Sequence, residues 1–297
     1  MDNLSCDDYL TNDLINYELT KYCDFETNIK LHCLDQDTLK SLRIFNLTDK
    51  KYASLLTEYI LKQNKYSRLK ILNIYNNQNI KNINFLSNLR ELNCGNTCII
   101  EQDGINQLNL TKLNVYNNSN IKNINFLNNL RELNASGYYC GINQDGIKDL
   151  KKLEILKVCN NITIKDINHL SNLRELDCRY YSGVNQNGIE DLTNIEILDI
   201  TYNDKIHNIN HLKKIRELTC GGVNCSLSQD GIKELENIEI LNCHNNSKIT
   251  NVNHLKKLKK LKCSGWNCQI TPDGIKELEN LEVLITEGNR NFKNNLI

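Results

Sequence analysis

Cysteine and histidine are the residue types in this 297-residue chain most able to do chemistry, with thirteen and six copies. Cys220 and Cys225, like Cys263 and Cys268, repeat a C-x4-C spacing, and closely spaced thiolates are what a structural zinc site is made from. Such a site needs four ligands converging on one point. The cysteines recur in a way that argues against this. Cys94, Cys178, Cys220, Cys243 and Cys263 each end the same kind of short apolar segment, where cysteine packs as a small buried hydrophobe. Cys159 stands instead at an outward position of its segment, which makes it the thiol most open to reaction, with no neighbour to lower its pKa. His169, His211 and His254 each precede a leucine and lie 42 and 43 residues apart, so one shared structural role explains them better than ligation. No G-x-S-x-G, phosphate loop or H-E-x-x-H occurs. The expectation is a protein that is not an enzyme, with no catalytic residue, cofactor or metal.

A repeat positions all of these residues. LKILNIYNN from Leu69 recurs from Leu110, Leu153, Ile195, Ile238 and Leu281, and LRELNCGNT from Leu89 recurs from Leu130, Leu173, Ile215 and Leu258. The second type follows the first by 20 residues each time, and the return step is 21 to 23. After the first type, apolar residues step by three, as in Ile80, Ile83 and Leu86, which is neither a helical nor a strand period. It suits a coil whose inward residues fall on successive edges of a wedge. Leu72 and Ile74 are read as inward, and Ile71, Asn73 and Tyr75 as outward. One coil cannot close its own core, whereas stacked coils can.

Nine residues into each first-type unit stands an asparagine, namely Asn77, Asn118, Asn161, Asn203, Asn246 and Asn289. An inward amide there would satisfy loop backbone groups that the turn leaves buried. In the second type an I-x-x-D-G-I pattern follows, and Asp103, Asp145, Asn187, Asp230 and Asp273 are expected to cap short helices.

These residues resemble two known repeat classes. The first type is similar to the short repeats of internalins, and the second to the cysteine-containing repeats of F-box proteins. Both are leucine-rich repeats, and Asn-rich arrays of this kind resemble those encoded by amoebae and their giant DNA viruses. The resemblance implies an α/β solenoid: a right-handed coil with a parallel concave sheet, short 3-10 or α segments on the convex side and a helical N-terminal cap. The organisation it gives is an N-terminal segment over 1–66, an array of eleven units over 67–289 and a tail over 290–297.

Two readings of the first segment stand side by side. In one, LKSLRIFN from Leu39 is a degenerate repeat strand and Lys50 to Gln63 an amphipathic helix carrying Leu55, Leu56, Tyr59 and Ile60, together covering the open end of the first coil. In the other, residues 9–38 resemble a worn F-box, with Leu10, Asp13, Leu14, Ile15, Leu19, Tyr22, Ile29 and Leu31 at matching positions. Thr11 replaces the usual proline there, and Glu18 stands where an aliphatic belongs. That resemblance implies a ubiquitin-ligase adaptor that binds the ligase's linker protein.

Composition bounds the partners. Acidic and basic residues balance at 36 each, so no global field draws the chain to nucleic acid or to an anionic membrane. No apolar run reaches the ~18 residues of a spanning helix. The start, Met1-Asp2-Asn3, has no secretory pattern, so a reducing cytoplasm is expected, that of a host cell if the source is viral. Asn, Ile and Lys rise together, as an AT-rich genome would make them. Binding of another protein through the concave face is the function expected. Tyr116, Tyr138, Tyr139, Tyr180, Tyr181 and Tyr202 cluster at or just after the strands, Ile155, Ile197 and Ile240 occupy outward positions, and Lys260 lies in a basic run with Lys256, Lys257, Lys259 and Lys262. Aromatic side chains dominate binding hot spots. Arg90-Glu91, Arg131-Glu132, Arg174-Glu175 and Arg216-Glu217 form columns across alternate coils, with Glu91, Lys112 and Glu132 side by side in a solvated ladder worth little.

Overall fold

In the computed structural model of the chain, residues 43–292 are described. They fall into two compact units, one reaching Leu130 and taking in Tyr139–Gly141, the other made of Arg131–Tyr138 and the residues from Ile142 on. The first holds β1 (Asn46–Leu47), β2 (Ile71–Asn73), β3 (Glu91–Asn93) and β4 (Lys112–Asn114). The second holds β5 (Glu132–Asn134), β6 (Ile155–Lys157), β7 (Glu175–Asp177), β8 (Ile197–Asp199), β9 (Glu217–Thr219), β10 (Ile240–Asn242), β11 (Lys260–Lys262) and β12 (Val283–Ile285). Within each unit every strand pairs in parallel with the next in sequence, its middle leucine opposite the next middle leucine. Each unit is therefore a parallel-strand solenoid, and the eleven strands expected from Leu69 on are β2 to β12.

The core is a set of columns. The inward strand residues, such as Leu72, Ile74, Leu113 and Val115 in the first unit and Leu176, Cys178, Leu218 and Cys220 in the second, are buried. So are the period-three residues Ile80, Ile83 and Leu86, and Ile206, Ile209 and Leu212. Each ladder asparagine is buried as well. Asn161 donates from Nδ2 to the carbonyls of Ala135 (2.9 Å) and Ile142 (3.1 Å), and its Oδ1 accepts from the amides of Thr163 and Ile164. Asn203, Asn246 and Asn289 repeat the pattern one step along. A second column was not read from the sequence. Gln144, Gln186 and Gln229 each accept through Oε1 from two successive backbone amides of the next first-type coil, at 2.9–3.2 Å, as Gln102 does in the first unit. His169, His211 and His254 share one role: Nε2 of each lies 2.9–3.1 Å from the carbonyl of Ile147, Ile189 or Ile232.

Three expectations are corrected. The aspartates of the D-G pattern do not cap. Asp103, Asp145 and Asp273 lie inside one-turn 3-10 helices, of which Gln144–Ile147 and Pro272–Gly274 are capped by Asn143 and Thr271, two residues before the aspartate, and Asp230 lies in a turn. The adjoining glycine is there for close approach, since a Cβ at Gly188 would stand 2.0 Å from the Lys165 carbonyl oxygen. Lys50 to Gln63 is not one helix but two single turns, α1 (Lys50–Ala53) and α2 (Glu58–Leu61). Ala53, Leu56 and Leu61 are buried there, while Leu55 and Tyr59 are exposed. Asn77 donates to the carbonyls of Ala53 and Leu56, so this segment takes the place of a preceding coil. The first strand is Asn46–Leu47, with Leu47 opposite Leu72, five residues beyond the register that starts at Leu39. Leu39 itself and the F-box-like residues 9–38 lie outside the described residues.

Candidate functional site

Three residues after each strand from β2 to β12 the chain turns through a left-handed residue. In the second unit that residue is Gly137, Asn160, Tyr180, Tyr202, Gly222, Asn245, Gly265 and Gly288 in successive coils; in the first it is Asn76, Asn96 and Asn117. Glycine has no Cβ to clash in this conformation and asparagine tolerates it, whereas a bulky side chain there is strained. Tyr180 (φ 56°) and Tyr202 (φ 58°) are the two exceptions. Their rings stack, with centroids 5.5 Å apart and planes 9° from parallel. Tyr202 meets His244 edge-on at 6.4 Å, and Tyr138 lies 6.3 Å from Tyr181. Room for this comes from glycine: a Cβ on Gly222 would meet the Tyr202 ring, and one on Gly221 the His244 ring. A partly exposed aromatic ledge therefore borders the strands of the second unit.

Beside the ledge, the outward residues of β6 to β10 line a shallow depression of about 280 Å³. Arg179 is clamped at its edge. Its Nη2 lies 2.8 Å from Asp177 Oδ2 and its Nε 3.5 Å from Asp199 Oδ2, with the guanidinium 5.9 Å from the Tyr180 ring centre. The hydrogen bond from Arg179 to Asp177 pushes the arginine pKa up, against the loss of water, which lowers it. Asp199 accepts from the Thr201 hydroxyl at 2.6 Å, yet burial pushes its carboxyl up more than Thr201 and Arg179 lower it. Burial first, and then Asp177, raise the Cys159 thiol to about 11. Cys159 is half-buried where the core cysteines are buried, as its outward position implies, and a thiol raised this far is a poor nucleophile at neutral pH.

Of the residues singled out in the sequence, Tyr138, Tyr180, Tyr181, Tyr202, Ile155, Ile197 and Lys260 belong to the second unit, and Tyr116 and Tyr139 to the first. Ile155 and Ile197 lie on the outward strand face as expected. The lysine run divides. Lys256 is paired with Glu277 and Lys259 with Glu239, and Lys257 donates to Asn237, leaving Lys260 and Lys262 on the outward face of β11. The charge columns run between coils, with Arg131 on Glu154, Arg174 on Glu196 and Lys259 on Glu239. In the first unit Glu91 stands opposite Lys112. Asp177, Arg179, Asp199 and His244 were missed. They share outward columns with residues that were noticed, and only the register between coils places them together. Cys94, Cys178, Cys220, Cys243 and Cys263 are buried, and Cys243 and Cys263 both hydrogen-bond Cys268, which holds it below its two neighbours. Among the described residues no group of three or more His, Cys, Asp or Glu could hold a metal ion.

No protein-family model matches the chain, and no curated protein is similar to it in sequence. Solved structures are similar in fold. An internalin of Listeria monocytogenes matches with 21% identity over 94% of this chain and 89% of its own, at a TM-score of 0.58. The fold is the leucine-rich-repeat fold. A leucine-rich-repeat protein of Leptospira interrogans matches with 21% identity over 86% of this chain and 75% of its own, at 0.53. TLR13, solved in complex with ssRNA13, matches with 20% identity over 88% of this chain and 46% of its own, at 0.54. No helix among the described residues is long and apolar enough to cross a membrane.

Proposed function

We propose that the protein is a non-catalytic binding scaffold whose partner is another protein, held on the outward face of β6 to β10 and along the tyrosine ledge. The observation that carries this reading is the pair Tyr180 and Tyr202, kept in a left-handed conformation that every other coil gives to asparagine or glycine. Backbone strain of this kind persists only where the surrounding structure holds it in place, and it clusters at functional sites. Tyrosine offers large contact area at low entropic cost. Ile155, Ile197, Tyr138 and Tyr181 extend the surface, and Lys260 marks its basic border. Tyr116 and Tyr139 are the residues of the first unit that would contact the partner. Affinity purification from the native cell, with wild type against a Tyr180→Asn, Tyr202→Asn double variant, tests it. A partner retained by the first and lost by the second is expected, and equal recovery by both would overturn the reading. An adaptor role would add a contact through residues 9–38. Its test is capture of the ubiquitin-ligase linker protein by the full chain, abolished by Leu14→Asp.

A further inference from the structure

The outward face of the second unit carries one row with a regular alternation. Ile155, Glu175, Ile197, Glu217 and Ile240 are consecutive register partners across β6 to β10, so isoleucine and glutamate take turns along the row. Strands in a sheet lie about 4.8 Å apart, which puts the two carboxylates, and successive isoleucines, about 9.6 Å from one another. We infer that this row receives an amphipathic helix of the partner, presenting basic side chains seven residues apart with an apolar residue three or four positions between them. The inference rests on the proposed binding face and names what that face recognises.

Spacing and charge both favour this occupant. Seven residues of α-helix rise about 10.5 Å, close to two strand spacings, and the intervening three or four rise about 4.5–6 Å, close to one. An extended segment shows side chains on one side every ~6.7 Å and falls out of step at once. The depression around the row is lined by Glu175, Asp177, Asp199 and Glu217 against only Lys157 and Arg179. Arg179 is already held between its two aspartates, and Lys157 lies 3.3 Å from Glu175. The surplus is negative, so a cationic helix gains there while a phosphate backbone is repelled. The isoleucines supply the apolar contact that a helix laid into a groove needs.

The test selects ligands for the full chain from a phage-displayed library of helical peptides, about eighteen residues or five turns long, with one face randomised. Enriched peptides should carry Lys or Arg at i and i+7 with Leu, Ile or Met at i+3 or i+4. They should bind a Glu175→Gln, Glu217→Gln double variant at least about tenfold more weakly, and replacing their own basic residues by Gln should cost wild-type binding equally. The double variant should melt with wild type, because both side chains lie on the outward face. Absence of enrichment, enrichment without this spacing, or indifference to the double variant would each overturn the inference. So would competition by mixed-sequence single-stranded RNA. Peptides lacking the spacing that still fail to bind Tyr180→Asn, Tyr202→Asn would sink the helix and leave the face standing. Peptides indifferent to both variants would sink both.

Discussion

Tyr202 occupies the same turn position as Asn160, with the same φ of 58°. Asparagine in that conformation can hydrogen-bond locally, whereas for a bulkier residue the left-handed region costs about 1–2 kcal/mol. Tyr202 recovers part of this by stacking on Tyr180, since an aromatic pair is worth about 0.5–1.5 kcal/mol beyond its buried area. Two strained residues share one stack, so the arrangement does not favour folding.

Replacing both tyrosines with asparagine should therefore raise stability, by about 0.5–3.5 kcal/mol, because relief of strain at two residues outweighs loss of one stack. Partner affinity should fall by about 2 kcal/mol or more, near thirtyfold. Urea denaturation and a binding isotherm measure the two quantities independently. A large loss of stability would mean that the rings hold the turn together.

The asparagine column makes the opposite prediction. Asn161 is buried and satisfies two carbonyls and two amides, so Asn161→Ala should cost about 1–3 kcal/mol or more through orphaned buried groups. Asn172 makes one exposed bond to the Lys151 carbonyl, and Asn172→Ala should change stability by less than about 0.5 kcal/mol. Equal urea midpoints for the two would contradict the assigned roles.

These two sets of residues also show what the sequence makes legible. Asn161 could be read because a buried amide recurs at a fixed place in every first-type unit, and the core leucines because their period follows the coil. Gln144 and Gln186 escaped notice because their bonds run from one coil's helical turn to the next coil's backbone, a register that spacing alone does not fix. The 3-10 caps escaped because the residue two before the D-G position changes type along the array, from Asn143 and Asn185 to Thr271. The tyrosine cluster was visible as composition. Its left-handed backbone, and the clamp of Arg179 between Asp177 and Asp199, required the fold.

Asp199 gives a test in pH. Its folded-state pKa is raised, chiefly by burial, so the folded chain binds that proton more readily than the unfolded chain does. Its ionisation therefore removes stability as pH rises through the carboxylate range. Asp199→Asn keeps an acceptor for Thr201 and should melt higher than wild type at pH 7, with the difference shrinking as pH falls towards about 4. A variant that is less stable than wild type at pH 7 and recovers at low pH would show that the Arg179 contact outweighs burial.

Thiol reactivity follows from the same surroundings. With its pKa near 11, Cys159 should be alkylated at pH 7.5 roughly three-hundredfold more slowly than an unperturbed thiol of pKa about 8.5, as the ratio of their thiolate fractions requires. The rate should climb about tenfold per pH unit until it nears that value. Iodoacetamide labelling with peptide mapping follows this one residue, and rapid modification at neutral pH would contradict the arrangement.

Gly222 tests whether the ledge is built by steric fit. Its φ of 98° lies where L side chains are strained, and a Cβ there would stand 2.5 Å from Tyr202 Cδ1. Gly222→Ala should therefore destabilise the chain twice over, by about 1 kcal/mol or more for the backbone and by a further cost for displacing the ring. The two parts separate in a double-mutant cycle. In a Tyr202→Asn background the alanine no longer meets a ring, so only the backbone part should remain, leaving a coupling of at least about 0.5 kcal/mol. Partner binding should fall in Gly222→Ala alone, because the ring that stacks on Tyr180 has moved. Strict additivity of the two substitutions would mean that Tyr202 does not rest on Gly222 in solution, and the ledge would then lose its geometric basis.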